Sequence, residues 1–381
     1  MRDFNRRAFL GAAAAGTAAM AGGGAAFAQS PLNEAKPNLT AKPPVFGPAP
    51  GVALLSRNEN PYGPSPSAVA AIYDTAAKGC YYADGGLRTL TDMIAERFGL
   101  DGDHVAISSG STEILCAAAL SMPQEGAILC PGLFWDTTVD YAARKGAAVK
   151  RVPLTADMEV DLPAMLAAIG PDVGMVQICN PNNPTGIAID GDELRTFIRQ
   201  VDPRVTILID EAYNELTDRP EYTSVSDMVA AHPNLIVCRT FSKIYGMAGL
   251  RVGYALAAPE KVETMRGYLM SFGGNTAGLS GAIASYNDEP FLDYSRKQIL
   301  TGRQMILDAV QRAGLTALPS QTNFVYVKVP DADSVQTAMA DRGIMIRGAY
   351  GAWTTWSRVS TGKLEDVEKY AAALPEVVAS A

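Results

Sequence analysis

The chain has 381 residues, 48% apolar and 19% charged, which is the composition of a globular protein with material for a large buried core. Its 32 Lys and Arg against 40 Asp and Glu leave a net charge of −8, which argues against nucleic acid as a partner, since phosphate binding needs a basic surface. Only two histidines, His104 and His232, and five cysteines with no CxxC pair exclude a His-rich metal site and a disulfide framework.

The first 28 residues do not read as the start of a fold. Arg2, Arg6 and Arg7 form a positive segment, an Ala/Gly-rich stretch follows from Phe9, and Ala26-Phe27-Ala28 supplies a small-x-small cleavage site. The run Arg6-Arg7-Ala8-Phe9-Leu10 resembles a twin-arginine (Tat) export signal, although Asn5 stands where Ser or Thr is commoner. So Gly-rich a segment is poorly apolar for a membrane anchor. The expectation is an exported, periplasmic protein with the Tat machinery as a transient partner, and a cytoplasmic one if the leader does not function. Cleavage after Ala28 removes three Arg and one Asp, moving the net charge from −8 to −10. Residues 29–51 follow as a proline-rich arm, because Pro blocks both helix and central-strand pairing.

From residue 104 onward short apolar runs alternate with amphipathic stretches. HVAIS, AILC, AAVKRVPL, GMVQIC, VTILID, LIVCRT and VGYALA read as strands, and several are apolar without alternation, which suits parallel strands covered on both faces. Ser111–Ser121 and Asp190–Gln200 carry helical spacing between them. This alternation predicts an α/β domain with a mainly parallel sheet. After Gly273 the texture changes: a long helix over Glu289–Ala313, FVYVKV, a helix over Asp331–Arg342, IMIRGA and a short SRVS strand. That order predicts a smaller α+β domain from residues 273–381 joined by 52–75, beside a large domain over 76–272.

Four segments carry candidate chemistry. Ser109-Gly110-Ser111-Thr112 lies between a strand and a helix, where backbone N–H groups and hydroxyls can form an anion site, although by itself the segment reads first as an ordinary N-cap with Ser111 or Thr112. Asp210 ends an apolar strand, the place where open α/β sheets bind ligands, and a carboxylate there needs a cation or donor to offset its desolvation. NPNNPTG, Asn180–Gly186, follows another strand end and reads as a tight loop. TFSKIYGMAGLRVGY places Lys243 just after a strand, with Arg251 eight residues on.

Taken in order, LLSRNENPYGPSP, NPNNPTG, DEAY, SK with Arg251 downstream, QTNF and RVSTG resemble pyridoxal-phosphate (PLP) aminotransferases of fold type I, most nearly the histidinol-phosphate aminotransferase group, over about residues 52–375. The resemblance implies a large domain with a mainly parallel seven-stranded sheet, PLP as cofactor and a homodimer with shared active sites. Lys243 resembles the lysine that forms a Schiff base with PLP and shuttles the substrate Cα proton. Asp210 would pair with the pyridine nitrogen, and Tyr213 and Asn183 would hydrogen-bond the ring oxygen. Gly110, Ser111 and Thr112 would hold the phosphate, with Thr240, Ser242 and Arg251 closing the site. Of the aromatics after Pro131, Phe134 matches the ring-stacking position first and Trp135 second. Arg358 resembles the arginine that grips an α-carboxylate, for which its planar fork is suited. Arg347 resembles a second cation for a distal phosphate or acid group, with a surface ion pair as the plainer reading. Tyr82 matches a tyrosine that reaches the neighbouring subunit's cofactor. Asn60 and Asn323 would orient substrate, line the domain junction or bond within the core; Glu59 has no assignment.

Two departures keep the substrate open. Where the family has an Arg-Tyr-Pro run, this chain reads Cys80-Tyr81-Tyr82-Ala83-Asp84. An exported relative, moreover, need not serve histidine biosynthesis. The expected activity is amino transfer between an amino acid or amine and a 2-oxo acid or aldehyde. A PLP decarboxylase of the O-phosphothreonine type is the alternative, and a catalytically silent binding protein is disfavoured by the retained Asp210, Lys243 and Arg251.

Overall fold

The computed structural model describes residues 46–122, 126–271 and 273–380. The leader and most of the proline-rich arm lie outside the described residues.

In chain order the first half contains β1 (Ala53–Leu54), α1 (Pro66–Ala76), α2 (Asp84–Phe98), β2 (Val105–Ser108), α3 (Ser111–Ser121), β3 (Ala127–Pro131), α4 (Thr137–Ala143), β4 (Val149–Val152), α5 (Leu162–Ala167), β5 (Val173–Cys179), α6 (Gly191–Gln200) and β6 (Thr206–Asp210). The second half contains α7 (Pro220–Thr223), β7 (Leu235–Thr240), β8 (Gly253–Ala257), α8 (Pro259–Arg266), α9 (Thr276–Ser285), α10 (Glu289–Arg312), β9 (Thr316–Ala317), β10 (Phe324–Lys328), α11 (Ala332–Ala340), β11 (Ile344–Met345), β12 (Trp356–Ser360) and α12 (Leu364–Ser380).

The seven apolar runs form one seven-stranded sheet in the order β2-β8-β7-β6-β5-β3-β4. Its strands are parallel except β8, which runs antiparallel to both β2 and β7. Every residue of β3, β6, β7 and β8 is buried, which is why these strands lack a polar alternation. Two hydrophobic clusters sandwich the sheet. One gathers Leu129, Ile178, Ile207, Ile209 and Phe241; the other gathers Ile114, Leu115, Ile128, Leu208 and Ile236. Ile207 and Ile209 thus face one side while Leu208 faces the other, as period-two geometry requires.

A three-stranded antiparallel sheet, β12-β10-β9, and the parallel pair β1-β11 make up the remaining strands. A third cluster joins Ala53 and Leu55 to Ile306, Val325, Val359, Tyr370 and Leu374, so the segment after the arm is packed with the end of the chain. Helix α9, although it follows residue 273, packs on α1 and α2 and adds Leu279 and Ala282 to the large-sheet cluster. Among the described residues no helix is long and apolar enough to cross a membrane.

Candidate active site

Parallel strands deliver their following loops to one edge of a sheet, and five of them meet here. β2 ends at Ser108 and leads to Ser111 and Thr112; β3 leads to Trp135; β5 leads to Asn183; β6 ends in Asp210 and leads to Tyr213; β7 ends in Thr240 and leads to Ser242 and Lys243. Antiparallel β8 enters the sheet from the same edge, just after Arg251. These side chains line a cavity of about 250 Å³, completed by Arg57, Glu59, Cys179, Ala212 and Ala248.

Asp210 is buried, and its carboxylate accepts one backbone bond, from the Ala212 N–H at 3.2 Å. It makes no ion pair among the described residues, and burial pushes its pKa up to about 7. Lys243 Nζ donates to the Asn58 carbonyl oxygen at 3.0 Å. Burial, and next the Arg358 guanidinium, lower its pKa to about 8, against the opposing pull of Asp210 and Glu59. An amine in that range has a sizeable neutral fraction near physiological pH, far more than an ordinary lysine.

The Tyr213 hydroxyl is oriented by a chain of bonds. Arg358 Nη1 donates to Asn183 Oδ1 at 2.7 Å, and a guanidinium has no acceptor, so the amide of Asn183 must turn its NH₂ elsewhere. That NH₂ donates to the Tyr213 oxygen at 3.2 Å. On the other side Ser360 Oγ accepts from the Asn58 N–H and donates to Asn58 Oδ1, which turns Asn58 Nδ2 onto the same phenol oxygen at 3.2 Å. With two donors on its oxygen, Tyr213 keeps its own proton to offer to the cavity. Burial raises its pKa, so that proton is firmly held.

At the other end the N-terminus of α3 faces a cluster of donors. Thr240 Oγ1 and Ser242 Oγ lie 2.9 Å apart, and Arg251 is held by bonds from its guanidinium to the carbonyls of Ala248 (2.8 Å) and Ser109 (3.3 Å). Gly110, the N-cap of α3, has φ 76° and ψ 156°, a conformation essentially reserved for glycine. A Cβ there would overlap the Arg251 guanidinium, and one at Gly253 would overlap the Ser111 backbone nitrogen. The cradle is therefore as tight as its backbone permits, and it presents N–H groups, hydroxyls and a cation to a dianionic group.

Several expected residues stand elsewhere. Trp135, not Phe134, lines the cavity: Phe134 is buried in the cluster with Ile114, Leu115 and Val139, while Trp135 is only partly buried against that cluster. Asn60 is off the wall, because its NH₂ contacts the carbonyls of Lys243 (3.0 Å) and Ile244 (2.9 Å) and Ser295 Oγ (2.7 Å). It fixes the lysine loop instead of meeting substrate. Asn323 likewise donates to the Asn58 carbonyl at 2.9 Å and supports the residue that holds Lys243. Gly110 shapes the cradle from behind Arg251. Arg358 sits behind Asn183, buried, with its Nε lacking any partner and with no carboxylate paired to it among the described residues. Arg347 is exposed, stacked 5.1 Å from the Tyr350 ring centroid, and Tyr82 is exposed and absent from this cavity wall.

Asn58, Arg57 and Glu59 escaped the sequence reading. Asn58 adopts φ 55°, and the available signal was an Asn beside Glu-Asn-Pro, since Asn is among the few residues that tolerate the left-handed region.

A mainly parallel sheet carrying a buried aspartate and a depressed lysine at its loop edge, beside a tight anion cradle, defines a PLP-dependent transferase of fold type I. The donor set fits the cofactor: an uncompensated carboxylate for a ring N–H, a phenol proton and amide for a ring oxygen, and a donor cradle for a phosphate. The chain matches the aminotransferase class I and II family over residues 50–374, and it belongs to that family. It is 34% identical to the histidinol-phosphate aminotransferase of Brevibacillus brevis over 334 residues, 87% of this chain and 91% of that one. It is 36% identical over 334 residues to histidinol-phosphate aminotransferase 2 of Pseudomonas aeruginosa, covering 86% and 89% of the two chains. The crystal structure of the Sinorhizobium meliloti histidinol-phosphate aminotransferase in complex with PLP superposes with a TM-score of 0.80 at 32% identity, covering 86% of this chain and 91% of the other. The protein is a PLP-dependent aminotransferase.

Proposed function

We propose that this aminotransferase takes an amino donor of the histidinol-phosphate kind and passes its amino group to a 2-oxo acid such as 2-oxoglutarate. The observation that carries the assignment of roles is the single cavity holding Lys243, Asp210, Tyr213 and Asn183 beside the cradle of Ser111, Thr112, Thr240, Ser242 and Arg251. The names of the related enzymes support the donor class.

When bound, PLP supplies the electron sink that makes the substrate Cα–H acidic. Asp210 would hold the pyridine nitrogen protonated through a buried charge-assisted hydrogen bond. Tyr213 would donate a hydrogen bond to the ring oxygen, while Asn58 and Asn183 fix the phenol. Trp135, on the cavity wall, would pack against the ring. Lys243, whose lowered pKa makes its neutral form accessible, would take the substrate Cα proton and return it at another carbon, the proton movement of amino transfer and not of decarboxylation. Arg358 offers the unpaired Nε–H and its remaining Nη protons to an α-carboxylate; Asn60 and Asn323 act only by positioning Lys243 and Asn58. Arg347, exposed on Tyr350, is left to a distal acid group arriving from solvent.

The reading extends to assembly and location. Tyr82 is 75% exposed and outside its own chain's cavity, which supports its reach into a neighbouring subunit's site in a homodimer. The large domain over 76–272 carries the cofactor and the smaller one, 52–75 with 273–381, carries Arg358. A Tat-like leader supports export of an already folded protein, and Arg6-Arg7→Lys-Lys is expected to abolish periplasmic recovery.

The test is a single-turnover panel of histidinol phosphate, glutamate, aromatic and basic amino donors with the holoenzyme. Histidinol phosphate is expected to yield the corresponding ketone and glutamate to yield 2-oxoglutarate without carbon dioxide release, and Lys243→Ala is expected to yield neither. Turnover of the other donors with none from histidinol phosphate would overturn the donor assignment.

A further inference from the structure

Two charged side chains on the cavity wall have no role in the chemistry above. Arg57 and Glu59 flank Asn58, whose own side chain is turned back into the protein to hold Tyr213. Both line the cavity, and the residue between them, in the left-handed region, does not. Arg57 is exposed at the mouth and Glu59 is half-buried deeper in. Neither makes a side-chain hydrogen bond or ion pair among the described residues, not even with the other.

That is an unusual state for a partly buried carboxylate beside a lysine-bearing cavity. Among the described residues two acids are buried: Asp210, which is assigned to the cofactor, and Glu211, which is engaged within the protein. Glu211, wholly buried, takes bonds from Arg239 (2.8 Å), Ser224 (2.8 Å) and the Val225 N–H (2.8 Å). Glu59 therefore stands as an acceptor for something that enters the cavity, and Arg57 as a donor two residues nearer to solvent. An aminotransferase must admit two side chains in turn, one from the amino donor and one from the amino acid formed from the acceptor. Opposite charges at one mouth let a single cavity serve both.

We propose that Arg57 and Glu59 together read the distal group of the two substrates: Glu59 accepts from an N–H-bearing or cationic group such as imidazole, and Arg57 binds the distal carboxylate of a dicarboxylic acid. The proposal rests on the cavity being the aminotransferase site and adds which substrate pairs it selects. Glu59 also acts on Lys243 through space, but that influence falls on every donor alike. A ratio between donors isolates the direct contact.

The experiment compares kcat/KM for histidine, glutamate and phenylalanine in wild type, Glu59→Gln and Arg57→Gln holoenzyme. The binding of two unreactive acids, imidazolepropionate and glutarate, is measured by calorimetry alongside. Loss of a charge-assisted hydrogen bond corresponds to about tenfold or more. Glu59→Gln is expected to lower the histidine-to-phenylalanine ratio at least tenfold, weaken imidazolepropionate and tighten glutarate. Arg57→Gln is expected to lower the glutamate-to-phenylalanine ratio by a similar factor and weaken glutarate. Equal losses across all three donors, or unchanged affinities for both acids, would overturn the proposal. Turnover of any of the donors by wild type keeps the assignment of the cavity intact in either case. Both substitutions remove no internal bond, and calorimetry reports binding even where turnover falls too low to measure.

Discussion

Gly110→Ala tests the cradle most directly. The added methyl would be held in a backbone region essentially closed to alanine, costing about 1–3 kcal/mol of stability. It would also lie 2.5 Å from Arg251 Cζ and closer still to Nη2. The guanidinium is the far end of a long side chain, so it moves before the backbone does, and it leaves the Ala248 and Ser109 carbonyls that aim it. A displaced Arg251 forfeits its charge-assisted contact with the cofactor phosphate, worth about 1.5–3 kcal/mol, or about 10- to 150-fold in Kd for PLP. The assay is PLP titration of cofactor-free protein by absorbance, repeated in an Arg251→Ala background. There the clash is gone, so Gly110→Ala is expected to cost almost no further affinity while still lowering Tm through backbone strain. An equal affinity loss in both backgrounds would refute the coupling, because independent effects add.

Lys243 gives a pH signature. Its ordinary value of 10.5 is lowered to about 8 chiefly by burial, so the rate of PLP association, which needs the neutral amine, is expected to reach half its plateau near pH 8. Stopped-flow mixing that shows the rate still rising past pH 10 would contradict this. The linked stability has a definite sign: the folded value lies below the unfolded one, the unfolded chain binds more protons in that window, and the cofactor-free protein gains stability as pH rises from about 8. The two adjacent aromatics should separate cleanly. Phe134→Ala is expected to cost about 3–5 kcal/mol in denaturant unfolding, as buried aromatics do, and Trp135→Ala mainly to change PLP affinity and its absorbance. The reverse pattern would put Phe134 on the cofactor.

Much of the site was legible because its chemistry is local in sequence. Asp210 ends a fully apolar run, Lys243 follows another, and a strand that buries both faces leaves its polar residues only at its ends. Helix α3 spans Ser111–Ser121 as its spacing predicts, since both its start and its anion-binding backbone are properties of that short segment. The choice between Phe134 and Trp135 was not local. Both meet the cluster around Ile114 and Val139, contributed by segments on either side in the chain, and burial of Phe134 within it leaves Trp135 on the cavity wall. Asn60 misled for a related reason: an Asn near a substrate motif looks polar and available, but three acceptors from residues 243, 244 and 295 meet its amide only after folding.

The sequence by itself determined the sheet, the cofactor chemistry and the identity of the lysine, aspartate and arginine that serve it. Apolar periodicity and ordered motifs are read along the chain, and they require no knowledge of what lies across a cavity. Tertiary structure alone decided orientation and availability. Asn58 reaches Tyr213 across 155 positions and Ser360 across 302, and those bonds turn the phenol proton outward. Among the described residues Arg358 is set apart by burial without a carboxylate, and Arg57 and Glu59 by lining the cavity with no side-chain partner. A side chain is free for function when folding leaves it unsatisfied, and that condition is set by neighbours distant in sequence.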